Sequence, residues 1–152
     1  MNVLLVEDEE HKTKDLCDRL TRHGIKPDQL EIVTSVRDAV LTVNRRSFDL
    51  VVLDMALPTF SKAGSEDVGG GLAQSVGGVE VLRALKAAGQ TSKIIVVTQY
   101  PEIIISGQRV KLSSIGKFVS SKYKQSVTGA VLYAYNTPEW GAHFDMLLRK
   151  MK

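Results

Sequence analysis

The chain has 152 residues, 43% of them hydrophobic, enough for one domain with a two-sided core, and its net charge of +3 divides into 9 Lys/Arg against 14 Asp/Glu over residues 1–82 and 11 against 3 over residues 83–152. The acidic half suits cations; the basic residues of the other half are spread rather than clustered, so nucleic acid is not the expected partner, while an acidic protein is compatible with it. The lone Cys17 excludes an internal disulfide, no signal peptide precedes the first predicted strand, and no apolar run approaches the roughly 20 residues of a membrane span, so a cytoplasmic location away from membranes is expected.

Strand-like and helix-like segments alternate along the chain, the pattern of an α/β fold with a parallel sheet. The expected order begins with a strand at 2–6, a helix at 9–23 that Gly24 stops, a strand at 30–34, a helix at 35–46 and a strand at 49–54. Leu16, Leu20 and His23 mark one face of the first helix. From Thr59 to Gly78 runs a Gly-rich stretch without periodicity, predicted to be a long, locally mobile loop that a short turn could replace between residues 62 and 76. A helix from Val79 to Ala88, closed by Gly89, and a strand Lys93–Thr98 follow. The last third parses in two ways. Either Lys117–Ser121 is the fifth strand, or Leu112–Lys124 is a helix and Ala130–Tyr135 the strand; the helical face of Leu112, Ile115, Val119 and Tyr123 favours the second. Thr137 as N-cap and Pro138 at the first helical position open a final helix through Lys150, with Trp140 and Phe144 as core contacts.

Two of the predicted strands deliver carboxylates at their C-terminal ends: Val3-Leu4-Leu5-Val6 runs into Glu7-Asp8, and Leu50-Val51-Val52-Leu53 into Asp54. On neighbouring parallel strands these three side chains meet at one edge of the sheet. Carboxylates are costly to hold together beside a core unless a cation neutralises them, so the pattern points to a divalent-cation site with a potential nucleophile inside it. The three histidines, His11, His23 and His143, show no metal-ligand spacing.

The pattern resembles the receiver (phosphoacceptor) domain of bacterial two-component response regulators. Val3–Asp8 is similar to the family's first strand ending in an acidic pair, Val51–Asp54 to the third strand ending in the phosphoacceptor, Pro58 to the proline four residues beyond it, and Val96–Thr98 to the fourth strand with its hydroxyl; 46 residues separate Asp8 from Asp54, and 44 separate Asp54 from Thr98. The resemblance spans essentially the whole chain. It implies a single receiver-like domain over residues 1–152 with a flavodoxin-like, doubly wound, five-stranded parallel sheet of order 2-1-3-4-5. It further implies Mg²⁺ held by Glu7, Asp8, Asp54 and the backbone carbonyl of Ala56. Asp54 would then be phosphorylated by a histidine kinase or histidine phosphotransfer protein, and Thr98 would hydrogen-bond the added group. Such a protein is a signalling module and not an enzyme, and a homodimer is compatible with it.

The chain departs from the family in two places. The glycine that usually follows the acceptor by about eight residues corresponds to Gly78, which follows Asp54 by 24, so some sixteen residues are inserted at about 59–78. The Lys-Pro pair that ends the family's fifth strand is absent. Its lysine position is Ala134 under one parse and Lys122 under the other. Gln99 and Tyr100 are bulkier than the family's residues after the hydroxyl and would restrict access to the acceptor. Lys117, Lys122 and Lys124 lie on the predicted fourth helix, part of the surface receivers use for partners. Three functions compete: a stand-alone phosphoacceptor in a relay or as a phosphate sink, a pseudo-receiver that binds protein without regulated phosphorylation, and a Mg²⁺-dependent phosphohydrolase. The last needs an acid two residues after Asp54, where Ala56 stands.

Overall fold

The computed structural model describes residues 1–57, 73–74, 76–105 and 107–151. In chain order the elements are β1 (Val3–Val6), α1 (Glu10–Arg22), β2 (Leu30–Val33), α2 (Val36–Arg45), β3 (Leu50–Leu53), β4 (Ala73–Gln74), α3 (Val76–Ala87), β5 (Lys93–Thr98), β6 (Glu102–Ile105), β7 (Gln108–Lys111), α4 (Ile115–Tyr123), β8 (Ser126–Leu132) and α5 (Glu139–Lys150). Short 3₁₀ turns occupy Pro27–Gln29 and Leu112–Ser114. The main sheet is parallel with strand order β2-β1-β3-β5-β8, so its five strands, numbered along the chain, run 2-1-3-4-5 as the sequence predicts.

β1 and β3 are buried at every position, which is why they read as unbroken apolar runs rather than as an alternating pattern. Successive side chains still face opposite layers. Val3 and Leu5 pack with Leu16, Leu20, Phe144 and Leu147 of α1 and α5, whereas Leu4 and Val6 pack with Val43, Leu82 and Val119 of α2, α3 and α4. Gly24, at a φ of +90°, ends α1 in a conformation costly for a residue with a Cβ, and Ser35 caps α2 by accepting the Asp38 N–H at 3.2 Å. The expected core contact of Trp140 with Phe144 is present, the ring centroids 6.3 Å apart.

Three boundaries differ from expectation. The fifth strand of the sheet starts at Ser126, four residues early, and stops at Leu132. Its polar beginning concealed it, and Gly129 stands where Leu147 of α5 presses against the strand and leaves no room for a Cβ. The third helix begins at Val76 rather than Val79, so the Gly-rich stretch ends inside it. Gly77 and Gly78 let the helix backbone lie directly on Leu57 and Met55, and Gly78 N–H donates to the Met55 carbonyl at 3.0 Å. Thr137 does not cap α5: its hydroxyl donates to the Ala134 carbonyl, and Pro138 takes the N-cap position.

A second, three-stranded sheet of order β4-β6-β7 was not expected. β6 and β7 form an antiparallel hairpin from Glu102↔Lys111 to Ile105↔Gln108, with Gly107 in the turn at a φ of +79°, and β4 pairs parallel to β6. Ile103, Ile105 and Val110 are buried in the layer that holds α3 and α4. Pro58 and the insertion up to residue 72, with residue 75, lie outside the described residues, as does the expectation that this segment is mobile.

Candidate functional site

The parallel register brings the carboxylates together. Val6 pairs with Leu53, and the residues following them are Glu7 and Asp54, whose backbone N–H donates to the Val6 carbonyl at 3.2 Å. One oxygen from each of Glu7, Asp8 and Asp54 lies within 4.8 Å of the others. Glu7 and Asp54 are buried, and Asp8 is half-buried. The Glu7 Oε2 atom accepts the backbone N–H groups of Asp8 and Glu9 at 3.1 and 3.0 Å, which folds the chain tightly into the N-terminus of α1, the end where the helix dipole favours negative charge. Asp54 Oδ1 accepts the Ala56 N–H at 3.1 Å, fixing the turn after β3 and leaving Oδ2 facing the site.

Lys12, which sequence reasoning missed, faces the three acids. Its side chain is 0% exposed, and its ammonium lies 2.7 Å from Glu7 Oε1 and 3.4 Å from Asp54 Oδ2, donates to Gln99 Oε1 at 3.2 Å, and stands 5.9 Å from the centre of the Tyr133 ring. Gln99 in turn donates to Glu9 Oε2 at 2.7 Å, so this side chain bridges the end of β5 to the start of α1 across the site. Tyr133 is anchored from behind by donating to Asp15 Oδ2 at 2.6 Å, and its own hydroxyl proton is held more tightly than in free tyrosine, first by burial and then by that hydrogen bond. One signal in the sequence could have found Lys12. It precedes Leu16 and Leu20 by four and eight residues, so it continues the buried stripe of α1.

The Lys12 ammonium pairs with two of the three carboxylates, Glu7 and Asp54. Burial, and next the negative charge of Asp54, push Glu7 up to about 7, against the opposing pull of Lys12. An all-oxygen cluster of this kind fits a hard divalent cation such as Mg²⁺. Glu7, Asp8 and Asp54 would hold it. Thr98 is fully buried at the end of β5; its Oγ1 accepts the Tyr100 N–H at 3.3 Å, and its carbonyl accepts the Tyr133 N–H at 2.8 Å, the rung that ends the β5–β8 ladder.

The two sequence candidates for the missing lysine do not supply this charge. Ala134 is exposed one residue beyond Tyr133, and the Lys122 ammonium lies 5.5 Å from the Phe118 ring on α4. Lys117 and Lys122 instead line a groove of about 800 Å³ with Arg109, Lys111 and Phe118, between the hairpin and α4. Of the histidines, His23 pairs with Asp145 at 3.3 Å and His11 packs on the Tyr135 ring, away from the acidic cluster. Among the described residues no helix is long and apolar enough to cross a membrane.

Comparison with known proteins places this geometry in context. No family model matches the chain. The Detocs response regulatory protein DtcB of Vibrio alginolyticus is 27% identical over 135 residues, which cover 88% of this chain and 89% of that one. Among solved structures, the N-terminal domain of a response regulator/sensory box/GGDEF protein from Carboxydothermus hydrogenoformans superposes with a TM-score of 0.61 at 18% identity, covering 99% of this chain and 96% of that one. The receiver domain of sensor histidine kinase PA1611 from Pseudomonas aeruginosa, with a magnesium ion coordinated in its active-site cleft, gives 0.56 at 17% identity over 98% and 94% of the two chains. The chain has the receiver-domain fold, and its curated relative is a response regulatory protein.

Proposed function

We propose that this receiver-fold chain is a phosphoacceptor, taking a phosphoryl group on Asp54 from a histidine kinase or histidine phosphotransfer protein and acting in the cytoplasm as a signalling module rather than an enzyme. The observation that carries the reading is the meeting of Glu7, Asp8 and Asp54 within 4.8 Å at the C-terminal edge of the strands, where open α/β sheets bind their ligands. An Asp54 carboxylate oxygen forms the new P–O bond as the P–N bond of the donor phosphohistidine breaks, the electron pair remaining on the donor nitrogen. Glu7, Asp8, Asp54 and the Ala56 carbonyl would hold Mg²⁺, which would supply positive charge against the phosphoryl oxygens. Thr98 is the hydroxyl at hand for the transferred group. Residues 1–152 act as one unit in this reading.

The buried cation reaches the site from α1, while β8, the strand that packs against α4, is followed by Tyr133 and the exposed Ala134. A phosphoryl group is therefore weakly connected to the α4 surface, which suits storing or draining phosphoryl groups better than throwing a switch. The pseudo-receiver is the second reading, favoured by the same Lys12, whose ion pairs with Glu7 and Asp54 give the acidic site an internal counter-ion. Incubation with a small acyl-phosphate or phosphoramidate donor and Mg²⁺, followed by intact mass, separates them. A single phosphoryl adduct that persists or decays slowly is expected. No adduct would leave the pseudo-receiver, and continuous turnover of the donor would make the chain a phosphohydrolase.

A further inference from the structure

Lys12 is the fully buried lysine of this site: its ammonium donates to Gln99 Oε1 at 3.2 Å and lies 2.7 Å from Glu7 Oε1 and 3.4 Å from Asp54 Oδ2. Of these the Asp54 separation, 3.4 Å, is the longest and lies beyond a good hydrogen bond. Glu7 and Gln99 thus hold the ammonium in place, and Asp54 Oδ2 lies beside it without binding it tightly. Asp54 Oδ1 is engaged by the Ala56 N–H, and Oδ2 is the oxygen on the Lys12 side. The Tyr133 ring backs the ammonium on another side and is itself fixed by Asp15.

Charge balance says what such a lysine is for. Lys12 pairs with Glu7 and Asp54, and a divalent cation held by Glu7, Asp8 and Asp54 would add positive charge beside the same carboxylates. Phosphorylation turns the single charge of the Asp54 carboxylate into about two on an acyl phosphate at the same oxygen. The added charge appears next to Oδ2, which is the oxygen Lys12 faces. An ammonium held there by other partners is pre-organised for charge that develops on transfer.

We propose that Lys12 is the phosphoryl-contacting cation of this protein: paired with Glu7 and beside Asp54 at rest, it donates to a phosphoryl oxygen once Asp54 is loaded, in place of a lysine at the end of the last strand. The inference rests on the acceptor reading above. It has a consequence of opposite sign for the two ligands. The ammonium repels a divalent cation bound to the same carboxylates, and it attracts the phosphoryl group. Removing its charge strengthens metal binding and weakens phosphoryl binding, whereas a lysine that only packs the helix would move both in one direction or neither.

The test compares the wild type with Lys12→Met and Lys12→Gln, measuring the Mg²⁺ dissociation constant by calorimetry and then that of beryllofluoride, a phosphoryl mimic, at saturating Mg²⁺. Both variants are expected to bind Mg²⁺ severalfold more tightly and beryllofluoride on the order of tenfold to a hundredfold more weakly, the range for loss of one charge-assisted hydrogen bond. Melting curves in Mg²⁺ identify the variant that is folded, and the glutamine variant serves if methionine is not accommodated. Beryllofluoride binding at wild-type strength in a folded variant, or metal and beryllofluoride affinities that fall together, would overturn the role of Lys12. A wild type that binds no beryllofluoride would instead refute the acceptor reading, and this inference with it; the two failures are distinguished by the protein in which they occur.

Discussion

The two ends of the sheet bury polar side chains by opposite means. At the N-terminal edge the groups are neutral and satisfied. Gln125, almost fully buried, accepts the Ser92 N–H at 2.9 Å and donates to the Gln90 carbonyl at 2.8 Å, Ser92 donates to the Phe48 carbonyl at 2.9 Å, and Gln90 donates to the Arg46 carbonyl at 3.0 Å, so one amide network ties the starts of β3, β5 and β8 together. At the C-terminal edge the groups are charged, and the Lys12 ammonium pairs with Glu7 and Asp54 beside Asp8. The first arrangement joins neutral groups by hydrogen bonds within the chain, whereas the second gathers buried acids around a buried ammonium. Burial alone therefore does not distinguish a structural polar cluster from a functional one. The balance of charge does.

That contrast breaks most visibly at Lys12. With a chelator present, Lys12→Met leaves Glu7 and Asp54 without a counter-ion, and a loss of about 3 kcal/mol is expected in denaturant unfolding, largely recovered on adding Mg²⁺. Gln125→Leu removes the central member of the neutral network and leaves the Ser92 N–H and Gln90 carbonyl without partners. A loss of about 2 kcal/mol is expected there, the same with Mg²⁺ or chelator. A metal-dependent loss at Gln125 would erase the distinction between the two edges. Asp54→Asn acts in the other direction: removing one of three clustered charges should stabilise the metal-free protein by about 1 kcal/mol, measured by the same unfolding curves.

A smaller effect concerns pH. Glu7 is held up to about 7 in the folded chain against an ordinary value of 4.5, so the folded state keeps this proton while the unfolded state has already lost it. Stability in chelator is accordingly highest below about 4.5 as far as this group is concerned, and falls as pH rises toward 7. Saturating Mg²⁺ should flatten that slope, and an unchanged slope would mean that Glu7 is not a ligand.

The meeting of Glu7, Asp8 and Asp54 was legible in the sequence because β1 and β3 are continuous apolar runs followed at once by acids, and a parallel register then aligns their ends. Lys12 was hidden by its chemistry: lysine in the first turns of a helix reads as a solvated residue, although its spacing from Leu16 and Leu20 places it on the buried stripe. The β6–β7 hairpin was obscured differently. Ile103-Ile104-Ile105 is a strand-like run, but an extra strand pair between β5 and α4 has no place in the simple alternation of strands and helices. The start of β8 was lost because Ser126 and Gly129 interrupt an apolar strand pattern; pairing with β5 overrides this.

The most direct measurement is the melting temperature with and without Mg²⁺ for four proteins: wild type, Gln125→Leu, Asp8→Asn and Asp54→Asn. Mg²⁺ should raise the wild type and Gln125→Leu by the same number of degrees, since the neutral edge takes no part, raise Asp8→Asn by less, and barely move Asp54→Asn. Equal Mg²⁺ responses in all four would show that the acidic edge is not a metal site, and the phosphoacceptor built on it would fall.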